Sequence, residues 1–187
     1  MIPVILASQS PRRKQLLEWA EIPFEVQVSD TDENFPAALS FEEAAIYIAR
    51  EKAKVIAEKS DGSKPVIAAD TMVICENEHF SKPVDVEDAV RMLRKLSGNT
   101  HKVITGVVIF YKNKEYAFAD TTAVTFNELT HKQIRWYVEK YKPFDKAGAY
   151  AIQEWIGVVG IQKIEGDFYN VMGLPINRVV KLLSTFG

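Results

Sequence analysis

The hydrophobic pattern of the chain switches between short apolar runs and three-to-four-residue spacing, and each switch marks an element. Ile2 to Ala7 is a brief apolar run of the buried-strand kind. Ser10-Pro11 has the form of an N-cap with proline at the first helical position. The helix it opens runs to about Ala20 and turns Leu16, Leu17 and Ala20 inward. Phe24 to Val28 alternates as a strand, and Asp30 to Asn34 is an acidic loop. Ser40-Phe41-Glu42-Glu43 reads as a capping box. It starts a long helix to about Glu58 whose inward face carries Ala45, Ile48, Ala49 and Ile56.

After a polar loop around Asp61-Gly62, Val66 to Ile74 is a strongly apolar strand interrupted by Asp70. Ser81-Lys82-Pro83 is a turn, and Asp85 caps a helix with Ala89, Met92, Leu93 and Leu96 at helical spacing. His101–Tyr111 and Glu115–Phe126 read as two strands joined at Lys112-Asn113-Lys114. Thr130 with Gln133 opens a further helix to about Tyr141. Asp145 to Glu154 is a loop passing into an extended segment, Val158 to Ile164 reads as a strand, and Gly173-Leu174-Pro175 opens a last helix ending near Leu183. Interleaved strands and helices define an α/β class, and the hairpin near Asn113 makes the expected sheet mixed.

Composition narrows the function classes. A chain of 187 residues with 47% hydrophobic and 26% charged residues fits one ordinary domain. Folding it would bury roughly 70% of the extended surface, enough for a core without staples. The formal charge of −2 offers no global basic field for nucleic acid or an anionic membrane. The lone Cys75 excludes an internal disulfide and a multi-cysteine zinc site, and fits a reducing compartment. No apolar run approaches a membrane span, and Arg12, Arg13 and Lys14 follow the short apolar start, the reverse of a secretory signal. The expected location is the cytoplasm.

Several positions resist a packing explanation. Arg12 and Arg13 lie in the first turn of a helix, where cations are misplaced against the helix dipole. A polyanion held between them and the helix amides would account for both; two ordinary surface arginines are the plainer reading. Asp70 stands in an apolar strand, where a carboxylate is costly unless partnered. It either faces a site at the strand's end or caps a turn where the strand has already stopped. Lys52 falls on the apolar stripe of the long helix, so its ammonium either snorkels out or meets a buried anion. Glu33 belongs to a solvated acidic loop unless a polyphosphate lies opposite, in which case it is a ligand for Mg²⁺ or Mn²⁺. Lys82, before Pro83, has the same ambiguity: a solvated charge, or a partner of the polyphosphate. His79, His101 and His131 share no ligand spacing, and Cys75 reads as a small buried residue. The chain has no Walker A, G-x-G-x-x-G or G-x-S-x-G pattern. Four cations and two carboxylates are thus candidates for one cleft.

Taken together, these residues resemble the Maf family of nucleoside triphosphate pyrophosphatases. The likeness is carried by Leu6-Ala7-Ser8-Gln9-Ser10-Pro11-Arg12-Arg13, Ala68-Ala69-Asp70-Thr71, Ser81-Lys82-Pro83, His101-Lys102-Val103-Ile104-Thr105-Gly106-Val107, Asp145-Lys146-Ala147-Gly148-Ala149-Tyr150-Ala151-Ile152-Gln153 and Asn170-Val171-Met172-Gly173-Leu174-Pro175. The resemblance implies one elongated α/β domain over residues 1–187, related to inosine triphosphate pyrophosphatases, with a central mixed sheet, flanking helices, a deep cleft and a homodimeric tendency. It implies metal-dependent hydrolysis of a nucleoside triphosphate to monophosphate and diphosphate. The Asp-Lys-Ala-Gly-Ala-Tyr segment is similar to the branch acting on dTTP and UTP. A 7-methyl-GTP or non-standard purine pyrophosphatase, and a non-catalytic nucleotide-binding regulator of cell division, are the other readings.

By the same resemblance Asp70 is the proton acceptor, and Arg12, Thr71 and Gln153 set substrate choice. Ser8, Arg12, Arg13, Lys52 and Lys82 would bind phosphate, and Glu33 with Asp70 the divalent cation. The chain departs from the family pattern in having Ser81 before Lys82, and Ala151 and Glu154 around Ile152-Gln153, where glycine is usual.

Overall fold

The computed structural model describes residues 2–28 and 30–186. In chain order the elements are β1 (Val4–Leu6), α1 (Pro11–Trp19), β2 (Phe24–Val26), α2 (Phe41–Ala57), β3 (Val66–Cys75), β4 (Glu78–Phe80) and α3 (Val86–Leu96). They continue with β5 (Thr100–Tyr111), β6 (Lys114–Phe126), α4 (His131–Tyr141), a 3-10 turn at Ala147–Ala149, α5 (Trp155–Gly160), β7 (Ile161–Glu165), α6 (Phe168–Met172) and α7 (Ile176–Leu183). Strands hydrogen-bond in the order β2-β1-β3-β5-β6-β7, with β4 paired to β3. The sheet is mixed: β1 runs parallel to β2 and β3, whereas β3–β4 and β6–β7 are antiparallel. No helix is long and apolar enough to cross a membrane among the described residues.

The chain forms two compact units. The first takes the residues up to Thr71, Thr105–Asp120 and the chain from Gly173. Its organising helix is α2, which starts as the sequence predicts. The Ser40 hydroxyl accepts from the Glu43 amide at 3.2 Å, and the Glu43 carboxylate accepts from the Ser40 amide at 2.9 Å. The small inward residues Ala49 and Ala53, with Ile56, meet Ile5, Ala7, Val66, Ala68 and Val108 of the strands. Gly106 in β5 makes the approach possible. A Cβ there would lie 2.3 Å from the Ala45 carbonyl carbon, so only glycine lets the α2 backbone come this close.

The second unit comprises Met72–Ile104 and Thr121–Met172. Here β3 turns through Glu76 and Asn77, both at positive φ, into β4. Asp85 caps α3 by accepting from the Asp88 amide at 2.8 Å, and Thr130 and Gln133 form a complete capping box on α4. Ala89, Met92, Leu93 and Leu96 of α3 and Ile134, Tyr137 and Val138 of α4 are buried. Arg135 pairs with Glu87 at 2.7 Å. His101 is buried in a triad of edge-on rings with Phe126 and Tyr150. Its Nε2 shares a 2.7 Å hydrogen bond with the Tyr150 hydroxyl.

Two local expectations change, and one open alternative is decided. Val158 to Ile164 is not one strand: α5 occupies Trp155–Gly160 and β7 begins only at Ile161. The Val158-Val159 pair imitates a strand by propensity, but Val158 is exposed and gains nothing from a sheet. The five-residue α6 and the three-residue β4 are additional elements, too short to show a period. Asp70 is inside β3, which continues to Cys75, so the strand has not ended there.

Candidate active site

In the first unit the pattern of burial along β3 breaks at Asp70 and Thr71, the two half-buried positions between fully buried runs. Position 52 of α2 faces this break. Lys52 Nζ donates to Asp70 Oδ1 at 2.7 Å and to Glu33 Oε1 at 2.9 Å. The Lys52 and Asp70 side chains are only 14% and 13% exposed, while Glu33 is half exposed. The apolar stripe therefore delivers an ammonium to a carboxylate rather than to the solvent edge, which resolves the two readings of Lys52. The attraction within an ion pair this close and this shielded is screened far less than in an exposed one.

Ser8, two residues beyond β1, and Arg13, on α1, form a second network. Arg13 donates from Nε to the Gly173 carbonyl at 2.8 Å, from Nη1 to the Ser8 hydroxyl at 3.1 Å and from Nη2 to the Thr71 hydroxyl at 3.0 Å. The Ser8 hydroxyl also accepts from the Ser10 amide at 3.2 Å. Ser10 itself makes no side-chain cap on α1, although Pro11 is at the first helical position as predicted. Burial pushes the Arg13 guanidinium down to about 10, against the pull of Asp70 and Glu33 and with a push from Arg12. It stays charged at neutral pH. Every nitrogen of this guanidinium bonds the protein, and Thr71 is fixed from its other side by the Thr105 hydroxyl at 3.0 Å. Arg12 is half-buried in the first turn of α1. The first unit thus holds together Ser8, Arg12, Arg13, Glu33, Lys52, Asp70 and Thr71. Thr105 and the Gly173 carbonyl join them without having been singled out; both lie in motifs of the sequence, but no local pattern shows that they meet Thr71 and Arg13.

Lys82 and Gln153 belong to the second unit. The Gly148 amide donates to the Ser81 carbonyl at 3.2 Å, so the Asp145–Tyr150 loop is tied to the turn carrying Lys82. Lys146, buried, pairs with Asp145 at 2.8 Å and Glu154 at 3.6 Å. Gln153 is exposed, between the buried Ile152 and Glu154. Ser81, Ala151 and Glu154, which stand where glycine was expected, all lie outside the positive-φ positions, so their side chains impose no backbone strain.

A divalent cation fits this donor set. Glu33 and Asp70 already converge on one cation, the Lys52 ammonium. Mg²⁺ is commonly held by one or two carboxylates together with substrate phosphates. Among the described residues no group of three or more His, Cys, Asp and Glu is gathered for a metal, so phosphate oxygens would complete the shell.

Solved structures of Ham1 proteins from Coxiella burnetii and Staphylococcus aureus each match 99% of this chain and all of theirs, at TM-scores of 0.52. With 13% and 18% identity they establish the α/β architecture alone. A family model described as "Maf-like protein" matches residues 3–186, and the chain belongs to that family. A dTTP/UTP pyrophosphatase of Cytophaga hutchinsonii is 51% identical over 97% of this chain and 83% of its own. One from Porphyromonas gingivalis is 47% identical over 98% and 94%, and one from Parabacteroides distasonis 45% identical over 98% and 95%.

Proposed function

We propose that this chain hydrolyses dTTP and UTP between the α- and β-phosphates, releasing the nucleoside monophosphate and diphosphate in the cytoplasm. The substrate class is supported by the relatives' names, and the chemistry by one observation: Asp70 and Glu33 converge on Lys52 in a half-buried notch of β3. Asp70 meets Lys52 through Oδ1; the other oxygen is assigned to the attacking water, whose proton it takes. Glu33 and Asp70 would hold a divalent cation, which would neutralise phosphate charge. Lys52, Arg12 and Lys82 supply further positive charge to the phosphates. Arg13 keeps the Ser8 and Thr71 hydroxyls in place, and its charge adds to the field at the phosphates. Gln153 presents amide donor and acceptor groups suited to a pyrimidine edge.

The test is diphosphate release from a panel of nucleoside triphosphates with Mg²⁺ and with Mn²⁺, wild type beside Asp70→Asn. We expect dTTP and UTP to lead and the variant to lose about 10²-fold or more while remaining folded. Near-normal turnover by the variant removes Asp70 from the centre. A purine triphosphate in the lead replaces the base assignment, and binding without turnover makes the chain a regulator.

A further inference from the structure

Gln153 is exposed on a loop, yet a specificity residue must be held still to discriminate between bases. The stabilising element is Tyr137, in the middle of α4. Its ring is fully buried, packed on Tyr141 at 4.9 Å between ring centres and aligned with Trp155 at 6.3 Å. Its hydroxyl donates to Glu154 Oε2 at 2.6 Å and accepts from the Ala151 amide at 3.4 Å. Those two partners flank Ile152-Gln153 on either side. We infer that the Tyr137 hydroxyl is a positioning residue for Gln153, clamping the loop at both ends of the dipeptide that carries it.

Three further contacts make the clamp rigid. Ile152 is buried, so the residue before Gln153 is anchored by its side chain. Gly157 of α5 lies so close to the Ile152 carbonyl that a Cβ would sit 1.6 Å from the oxygen. Lys146 holds the other Glu154 oxygen at 3.6 Å, which orients the carboxylate toward Tyr137. Burial and the neighbouring Glu154 push the Tyr137 phenol far above its ordinary value, so it remains a donor at every working pH. Glu154 occupies a place where glycine is usual in the family; here the side chain supplies the acceptor that glycine lacks.

The inference rests on the reading of Gln153 as the base-contacting residue, and the experiment separates the two. Tyr137→Phe removes one oxygen and keeps the buried ring. We expect faster amide exchange across Ala151–Trp155, and a fall of about tenfold in the UTP-over-CTP ratio of kcat/KM, carried by KM rather than kcat. Glu154→Ala should match it. Glu154→Gln retains an acceptor for the hydroxyl and should keep the wild-type ratio. Unchanged exchange in Tyr137→Phe means that the clamp does not exist. Faster exchange with an unchanged ratio means that it plays no part in base choice; either outcome overturns the inference. If Gln153→Ala shifts the ratio and both Tyr137→Phe and Glu154→Ala leave it alone, Gln153 stands and the clamp falls. If Gln153→Ala leaves the ratio unchanged, the reading of Gln153 fails, and the role given to Tyr137 fails with it. Should Tyr137→Phe not fold, Glu154→Ala decides.

Discussion

Lys52 shows how much one side chain's direction determines. A lysine on a helix's apolar stripe is tolerable only with its charge matched, and here two carboxylates match it at 2.7 and 2.9 Å. Replacing it by glutamine removes the ammonium that bridges Glu33 and Asp70. Diphosphate release by Lys52→Gln should drop by about 10²-fold, read as kcat at saturating nucleotide; an unchanged kcat would mean that the ammonium is only a packing partner. Gly173 acts through its backbone. It sits at φ +113°, its carbonyl accepts from Arg13, and a Cβ would come 3.4 Å from the Thr71 hydroxyl. Gly173→Ala should cost about 1–3 kcal/mol in urea unfolding, and a cost within error of zero would show that the turn relaxes freely. Asp70 and Lys52 were legible in the sequence because each breaks a local pattern. The partners of Arg13 were not: Gly173 is 160 positions away, and no local signal encodes such a contact. Tyr137 gave one faint sign, a hydroxyl at helical spacing with Ile134 and Val138 on a buried face, which must find a partner there.

At the scale of elements, capping chemistry was the most legible feature. Both predicted boxes, at Ser40 and Thr130, are complete. Ser40→Ala should lower stability by about 1 kcal/mol, seen as a shift in the urea midpoint; no shift would mean that the helix end is held by packing alone. The hairpin at Lys112-Asn113 is also where the sequence put it, with both residues at positive φ. What escaped were the short pieces. The helix α5 carries a valine pair, which favours a strand, and two glycines, which disfavour a helix, and only the tertiary setting decides. The placing of α2 on the strands was equally invisible, because it depends on the missing side chain of Gly106. Gly106→Ala would push a methyl into the Ala45 backbone and should cost about 3 kcal/mol. The same substitution would move Lys52, so turnover should fall more than the loss of folded protein explains; parallel losses would argue against that coupling.

Across the whole molecule, acid should act through His101. Burial pushes its imidazole down from 6.5 to about 4. Its Nδ1 has no hydrogen-bond partner among the described residues, so a proton placed there would find no acceptor. As pH falls from 6.5 to 4, the unfolded chain takes up a proton that the folded one refuses, and stability declines. The decline attributable to this residue is about 3 kcal/mol. Urea unfolding at pH 6.5 and pH 4, wild type beside His101→Gln, should show the smaller pH dependence in the variant; equal dependence would exonerate the imidazole. The division into two units has a further meaning at the level of the gene. The first unit is assembled from three separate stretches of chain and the second from two, and three of the four crossings fall within β3, β5 and β6. No contiguous stretch of coding sequence encodes either unit. Neither can be acquired, exchanged or lost by a single recombination event, and a truncation anywhere between Met72 and Met172 deprives both units at once. The two units are therefore encoded as one piece.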